Sequence, residues 1–416
     1  MESIEGLLKN THGSAKQLRR LTHDQKSMIL LDLSRLLLEN KAEIIAENYK
    51  DLERMDPSDP KYDRLLLNEK RIESLAASLL DVAKLEDPSG KILSEKTLYN
   101  GIKLEKVAVP MGVVGAIFES RPNVTIDVAA LCIASGNGAI LKGGKEADFS
   151  NQFLVSLVKK ALENSGIPGD AVNLLPTDRK FLTELLEATR YVDLIIPRGS
   201  QGLIDFVRAN SKIPTIETGA GVCHTYVEKS AKLPMAADII VNARASRPSV
   251  CNSLDCAIVD VAIIDELAQL LKSGLEKYNV EVYADERTFI SFKSANYPYL
   301  KQAQDEDFGK EWLDFKLSVK TVSSPEEALD HIEKYSSRHS EAIITEDHDL
   351  AERFLNEVDA AAVYHNASTR FTDGGEFGLG AEIGISTQKL HARGPFALEK
   401  LVTEKWVCRG DGQVRW

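Results

Sequence analysis

The chain has 416 residues, a formal net charge of −12 and five cysteines. This length suits two or three domains, and 43% hydrophobic with 27% charged residues is the composition of an ordinary soluble globular protein. The acidic balance argues against nucleic acid as a partner, and no apolar run reaches the roughly 20 residues that span a bilayer. The cysteines are odd in number and widely spaced, without a CxxC pair, which argues against a disulfide scaffold or a metal site. Since the first ten residues do not resemble a signal peptide, we expect a cytoplasmic protein.

The N-terminal part predicts packing helices and then a hairpin. Residues 14–86 are expected to be mostly helical, with Thr22 capping a helix that begins at His23 and further helices over 41–54 and 68–85. Apolar residues then alternate from 98 to 109 around Asn100-Gly101, a strong hairpin signal. We expect this hairpin to pair with a C-terminal strand over 401–408, in the same or another subunit.

Strands and helices alternate over residues 113–210. Strands are predicted over 113–118, 139–142, 172–175 and 193–197, and helices over 126–135, 150–164, 179–187 and 201–210. This order predicts a doubly wound parallel sheet, in which ligands lie at the carboxyl ends of the strands. Lys142 closes one strand and Arg198-Gly199-Ser200 closes another. No GxGxxG or GxxxxGK[ST] motif occurs, and taken alone Lys142 is also compatible with a solvated lysine at a strand end.

A second α/β region follows Cys251, after a predicted helix over 235–242. Its predicted strands cover 256–261, 280–283, 315–322, 342–345 and 361–364, with helices over 267–277, 325–335 and 350–357. The glycine-rich segment 374–384 is interpreted as a functional loop.

Cys251 lies in the stretch 247–256, between a predicted helix and a predicted strand. Helix-terminal amides stabilise a thiolate, and the thiolate is the nucleophilic form of cysteine. Arg244 and Arg247 add positive charge a few residues upstream. The alternative is a small packing residue, since unpaired cysteine is among the most buried residue types.

Five motifs occur in order along almost the whole chain. They are residues 118–123 (FESRPN), 135–146 (SGNGAILKGGKE), 197–200 (PRGS), 247–252 (RPSVCN) and 377–387 (FGLGAEIGIST). Through these motifs the chain resembles the aldehyde dehydrogenase superfamily, in its branch that reduces an acyl phosphate. The set is far more specific than any one of its members.

The resemblance implies a role for each matching residue. It implies that Cys251 is the nucleophile and that Asn123 and the Cys251 amide form the oxyanion hole. It implies that Lys142 contacts the adenosine ribose or its 2′-phosphate, and that Gly199 and Ser200 form the turn facing the dinucleotide. It also implies that Glu306 is an acid near the nicotinamide ribose. Arg121 and Arg247 are candidates for binding the substrate's phosphate or carboxylate, because guanidinium binds either in bidentate fashion. A structural ion pair is the alternative for each arginine.

The implied activity is the NADPH-dependent reduction of L-glutamyl 5-phosphate to L-glutamate 5-semialdehyde and phosphate, through a thioester on Cys251. This is the second step of proline biosynthesis from glutamate. A single lysine does not by itself select NADPH over NADH. The implied partners are the substrate, further copies of the chain in a dimer or tetramer, and a glutamate 5-kinase.

The implied fold is α/β and aldehyde dehydrogenase-like, with two doubly wound parallel-sheet domains and a small β-hairpin oligomerisation flap. We assign residues 1–95 and 110–222 to an NADP-binding domain and 223–395 to a catalytic domain with the nucleophilic cysteine. The flap comprises 96–109 and 396–416.

Two rival functions are kept. A hydrolytic NAD(P)-dependent aldehyde dehydrogenase uses a glutamate base, and Glu217 holds that position, 34 residues before Cys251. The lysine of the family's Glu-Leu-Gly-Gly-Lys motif is replaced or lost here, and reduction of an acyl phosphate needs no activated water. The second rival is a catalytically silent scaffold, which intact Cys251, Asn123 and Lys142 disfavour.

Overall fold

A computed structural model describes residues 3–57, 59 and 61–415. The chain forms two compact units. Unit 1 comprises residues 1–218, 378–384 and 396–416, and unit 2 comprises 219–377 and 385–395. Residues 1, 2, 58, 60 and 416, which the assigned domains include, lie outside the described residues, and the assignment into three domains stays a prediction.

Unit 1 begins with helices and a hairpin. The elements are α1 (Glu5–Leu18), α2 (His23–Glu39), α3 (Lys41–Leu52), α4 (Lys61–Leu65), α5 (Glu69–Lys84), β1 (Ile92–Thr97) and β2 (Lys103–Pro110). Thr22 caps α2 as predicted, in a reciprocal capping box with Gln25. Helix α1 begins well before the predicted helical region, and Leu8 and Ala15 on it are buried. A Cβ at Gly138 would lie 2.9 Å from the Ala15 side chain, so glycine permits this close packing.

The parallel sheet of unit 1 follows. Its elements are β3 (Val113–Phe118), α6 (Asn123–Ser135), β4 (Gly138–Lys142), α7 (Asp148–Asn164), β5 (Val172–Leu174), α8 (Arg179–Leu186), β6 (Leu194–Arg198) and α9 (Gln201–Asn210). The strand order is β5-β4-β3-β6, with every pair parallel. Because β4 and β6 flank β3 on opposite sides, the order reverses between β3 and β6, where doubly wound sheets bind ligands.

Unit 2 is built on a larger sheet. Its elements are β7 (Cys223–Val227), α10 (Leu233–Ala245), β8 (Leu254–Asp260), α11 (Ile264–Glu276), β9 (Glu281–Ala284), α12 (Glu286–Ser294), β10 (Leu300–Gln302), β11 (Lys316–Val322), α13 (Pro325–Tyr335), β12 (Ser340–Ile344), α14 (His348–Glu357) and β13 (Ala362–His365). The order is β10-β9-β11-β8-β7-β12-β13, with parallel pairing throughout. The predicted α/β fold with two parallel sheets is therefore confirmed. The sequence analysis did not predict β7, α12 or β10.

The last strands are β14 (Gly384–Ser386), β15 (Gly394–Phe396) and β16 (Val402–Arg409). Strand β16 pairs antiparallel with β2, which pairs with β1, so the three-stranded sheet forms within one chain. Its first strand begins at Ile92, earlier than predicted, because residues 98–102 form the turn. Buried Asn137 ties this sheet to the rest of unit 1, since it donates to the carbonyl of Leu401 at 2.8 Å and accepts from the amide of Gly112 at 2.7 Å.

Helices long and apolar enough to cross a membrane are absent from the described residues.

Candidate active site

Cys251 lies in unit 2, in the loop between α10 and β8, and is half-buried. Its carbonyl accepts a hydrogen bond from the Cys223 thiol at 3.3 Å. Burial raises the pKa of Cys132 to about 12 and raises the pKa of Cys223 and Cys256 well above the usual value, so these three thiols are poor nucleophiles. Among the cysteines only Cys251 and the exposed Cys408 of β16 are not buried.

Backbone packing against Gly221 fixes the position of Cys251. A Cβ at Gly221 would lie 1.7 Å from the Cys251 carbonyl oxygen, so any other residue there would displace the loop. The Gly221 amide donates in turn to Oε1 of Glu311 at 2.9 Å. This glycine belongs to the 217–221 stretch that replaces the family's Glu-Leu-Gly-Gly-Lys motif, and here it supports the cysteine loop.

The fully buried Arg244 on α10 holds both ends of the cysteine loop. Its guanidinium donates to the carbonyls of Pro248 and Leu254, each at 2.7 Å, and to Oδ1 of Asp255 at 2.8 Å. Asp255 also accepts from the amide of Trp312 at 2.9 Å. The sequence analysis counted Arg244 as positive charge for the thiolate, whereas in the structure it binds the loop backbone.

Asn252, next to the cysteine, joins the loop to the segment 369–372. Its side-chain amide donates to the main-chain carbonyls of Arg370 at 3.2 Å and Thr372 at 2.9 Å. The main-chain carbonyl of Asn252 accepts from Thr369 Oγ1 at 2.8 Å. The Arg370 guanidinium donates to Oδ1 of Asn252. Arg370, missed by the sequence analysis, thus lies beside the cysteine, and no local pattern around residue 370 indicates this contact.

Two guanidinium groups lie near the cysteine. Arg247, predicted as a substrate ligand, is exposed in the same loop, and Arg370 is half-buried. Burial lowers the pKa of Arg370, and the positive charge of Arg247 lowers it further. Like charges held this close favour a bound anion, which suits a phosphate or carboxylate ligand.

In unit 1, a strained turn presents Arg121 and Asn123 at the carboxyl end of β3. Ser120 has a left-handed backbone, with φ of 42°, which is unusual for a residue with a Cβ. The Glu146 carboxylate stabilises it by accepting from the Ser120 amide and hydroxyl, each at 2.8 Å. Arg121 is half-buried and makes a polar or electrostatic contact of its own.

Asn123 opens α6, and its side-chain amide donates to Oδ2 of Asp127, one turn along, at 3.0 Å. Asp127 as a whole residue is half-buried, and burial of its carboxyl group raises its pKa to about 6. The hydrogen bond from Asn123 and the nearby Arg198 oppose this rise. The ionised carboxylate therefore orients the amide predicted to form the oxyanion hole.

Lys142 closes β4, but it is buried rather than solvated. Its amine donates to the carbonyls of Thr177 at 3.0 Å and Gly143 at 3.3 Å. Burial lowers the pKa of Lys142, although nearby carboxylates, Asp148 foremost, oppose this. A positive charge held at a carboxyl strand end suits an anionic or hydroxyl-bearing ligand.

Gly199 and Ser200 lie where β6 passes into α9. The Ser200 amide donates to Oε2 of Glu119 at 2.9 Å, and a Cβ at Gly199 would lie 2.5 Å from the same oxygen. A carboxylate thus occupies the N-terminus of α9, a position that favours anions. Since this is the point where the strand order reverses, the residues present fit a dinucleotide phosphate in place of that carboxylate.

The two remaining predicted acids differ in their surroundings. Glu217 is buried in unit 1, and both its oxygens accept from Nε of Arg208 at 2.8 Å. Glu306 is exposed in unit 2, in the short helix Asp305–Gly309. The structure therefore gathers Cys251 and Arg247 in one loop of unit 2, and Arg121, Asn123, Lys142, Gly199 and Ser200 at the strand ends of unit 1.

Comparison with known proteins identifies the family. The model of the aldehyde dehydrogenase family matches residues 2–296. The chain belongs to the aldehyde dehydrogenase family. Gamma-glutamyl phosphate reductase from Chlorobium limicola is 51% identical over 416 residues, which is 100% of this chain and 99% of the relative. The enzyme of the same name from Legionella pneumophila is 52% identical over 414 residues, 99% of each chain.

Solved structures agree with this relationship. Gamma-glutamyl phosphate reductase from Thermotoga maritima is 40% identical and superposes with a TM-score of 0.94 over 100% of both chains. An acetylating aldehyde dehydrogenase from Geobacillus thermoglucosidasius, 18% identical, shares the fold with a TM-score of 0.72 over 99% of this chain and 97% of that chain. The predicted resemblance is confirmed: the chain is an oxidoreductase, and its family uses a nicotinamide nucleotide.

The buried Arg244–Asp255 pair generates the first prediction. Arg244→Met should lower the free energy of unfolding by about 3–5 kcal/mol, because it leaves a buried carboxylate and two carbonyls without their donor. Urea denaturation measures this change. Arg353→Met, which removes exposed ion pairs on α14, should cost less than about 1 kcal/mol. Adding Asp255→Leu to Arg244→Met should recover part of the loss, and no recovery would contradict the ion-pair account.

Proposed function

We propose that the enzyme reduces L-glutamyl 5-phosphate to L-glutamate 5-semialdehyde and phosphate with NADPH, as the second step of proline biosynthesis from glutamate. The observation that carries the chemistry is a half-buried Cys251 in a loop fixed by Arg244, Asn252 and Gly221. The full-length relatives named gamma-glutamyl phosphate reductase support the substrate. We place the enzyme in the cytoplasm as a homo-oligomer, supplied by a glutamate 5-kinase.

Cys251 acts first. Its thiolate attacks the acyl carbon, so that a carbon–sulfur bond forms while the carbon–oxygen bond to phosphate breaks. Phosphate leaves with its electron pair and needs no general acid, because it is a good leaving group. Asn123, oriented by Asp127, donates to the oxyanion, and loss of one such donor typically costs about 2.7–4 kcal/mol of barrier.

The thioester is then reduced. NADPH, when bound, supplies the hydride for the thioester carbonyl. Cys251 leaves again as a thiolate and releases the aldehyde, so the residue returns to its starting form. The semialdehyde should cyclise on its own to pyrroline-5-carboxylate.

Substrate binding is assigned to three arginines. Arg247 and Arg370 flank the cysteine and carry the positive charge that a phosphate dianion requires. Arg121, at the end of β3, is the candidate for the substrate carboxylate. A second positive group near the thiol also favours its ionised form.

Cofactor binding is assigned to the strand ends of unit 1 and to Glu306. Lys142 takes the adenosine ribose or its 2′-phosphate, and the turn at Gly199 and Ser200 takes a bridging phosphate. Glu119 has to release the Ser200 amide when a phosphate binds there. Glu306 is proposed to bind the nicotinamide ribose.

The hydrolytic alternative depends on Glu217 as a base. Both oxygens of this carboxylate are engaged by Arg208, which leaves it poorly placed to accept a proton from water. This pairing favours reduction of an acyl phosphate over hydrolysis of a thioester.

Replacing the nucleophile separates the two reactions. Cys251→Ala should abolish the reverse reaction, phosphate-dependent reduction of NADP with pyrroline-5-carboxylate, because no thioester forms. The reaction is measured by the increase in NADPH absorbance. Cys408→Ala, which alters an exposed cysteine on β16, should keep full activity. Turnover without phosphate that is lost in Glu217→Gln would support the hydrolytic enzyme instead.

The role of Lys142 is tested with both nucleotides. Lys142→Ala should raise KM for NADPH more than it lowers kcat, since the amine is assigned to the cofactor and not to the reacting carbon. A larger effect with NADPH than with NADH identifies the 2′-phosphate as its ligand. Lys160→Ala, an exposed lysine on α7, is the matched control. An unchanged KM would contradict the assignment.

Asp127 should set an acidic limb of the pH profile. Its pKa of about 6 means that the carboxyl becomes protonated as pH falls through 6, which weakens its bond to Asn123. kcat/KM should therefore fall below pH of about 6, and Asp127→Asn should abolish this limb while lowering activity at neutral pH. Asp81→Asn, on the exposed face of α5, should leave the profile unchanged. A limb that persists in Asp127→Asn must belong to another group.

A further inference from the structure

A buried cluster of metal-binding side chains lies in unit 2, outside the residues assigned to the reaction. His224 on β7, Cys256 on β8 and His331 on α13 each offer a ligand atom, and these atoms all lie within 4.8 Å of one another. The first two residues are register partners on neighbouring strands, and α13 covers the same face of the sheet. Their spacing of 32 and 75 residues explains why the sequence analysis predicted no metal site.

The spacing of Cys256 and His331 fits a shared ion. Sγ of Cys256 lies 3.7 Å from Nε2 of His331. Zinc bonds of about 2.3 Å to sulfur and about 2.05 Å to nitrogen at a tetrahedral angle place those two atoms about 3.6 Å apart. The rings of His224 and His331 have centroids 5.6 Å apart and meet edge to face, so a small rotation brings the second imidazole into range.

His224 is otherwise unexplained. It is fully buried, and its Nε2 makes no hydrogen bond with any residue that the structure describes. Leaving such a polar group unpaired in the interior destabilises the folded state. Nδ1 lies 3.2 Å from Oε2 of the buried Glu341, which leaves Nε2 for an ion. A carboxylate behind a histidine ligand is the usual outer partner in zinc sites.

The charges balance. A divalent ion with the Cys256 thiolate and the Glu341 carboxylate sums to zero, which removes the main cost of burying an ion here. Glu341, His224 and Cys256 form a row across β12, β7 and β8, because each is the register partner of the next. A thiolate with two imidazoles prefers a borderline-soft ion, Zn²⁺ before Mg²⁺ or Ca²⁺.

We propose that His224, Cys256 and His331 form a buried site for Zn²⁺, with Glu341 as the outer partner of His224 and a water molecule in the fourth coordination position. The ion joins β7, β8 and α13, and β8 begins three residues after Cys251. Zinc therefore stabilises unit 2 beneath the cysteine loop and takes no part in the reaction.

Cobalt is the probe, since Co²⁺ replaces zinc and reports thiolate ligation by absorbance. The full chain is unfolded in denaturant with a chelator and refolded with Co²⁺. We expect about one ion per chain, a thiolate-to-cobalt charge-transfer band, tetrahedral visible bands and a higher Tm than after refolding without metal.

Variants locate the ion. The band should persist in Cys251→Ala and in Cys132→Ser, a buried cysteine of unit 1, and should be lost in Cys256→Ser and in His331→Gln. Circular dichroism checks that each variant folds. If a variant does not fold, Co²⁺ binding by the wild-type protein is the test of the proposal. Wild-type protein that refolds without binding Co²⁺, or a band that survives in Cys256→Ser, would overturn the proposal and leave a thiol–imidazole contact only.

Discussion

One buried guanidinium determines the shape of the candidate active site. Arg244 donates to a carbonyl on each side of Cys251 and to the Asp255 carboxylate, so the loop closes around a charge removed from water. Each of these bonds is costly to lose, because a buried carbonyl without a donor has no water to replace it. The position of the sulfur therefore depends on a residue that never has to touch substrate.

Carboxylates provide the corresponding support in unit 1. Glu146 accepts from the strained Ser120, Asp127 from the Asn123 side chain and Glu119 from the Ser200 amide. An acidic chain is thus compatible with anionic ligands, because the proposed function assigns their phosphate groups to lysine, arginine and helix N-termini. The net charge of −12 describes the surface as a whole and not the site.

The two proposals use cysteine in opposite ways. Cys251 is half-buried, with Arg247 in its own loop and Arg370 bound to the next residue, and it is proposed to react as a thiolate. Cys256 lies in the core, where burial raises its pKa unless a metal ion takes the place of the proton. They are five positions apart in the chain. Cys251 lies in the loop before β8, whereas Cys256 lies within that strand and is fully buried. This difference in burial makes the first a candidate nucleophile and the second a candidate metal ligand.

The sequence by itself determined the order of strands and helices, the parallel sheets and the family, because hydrophobic periodicity and contiguous motifs are local properties. It missed β7, because this short strand carries the polar residues His224 and Thr225 although all five of its positions are buried. Only the tertiary structure decided that Arg370 lies beside Asn252, that Arg208 occupies Glu217 and that His331 meets Cys256. These contacts arise from side-chain directions and chain crossings, which no spacing of residue types along the sequence encodes.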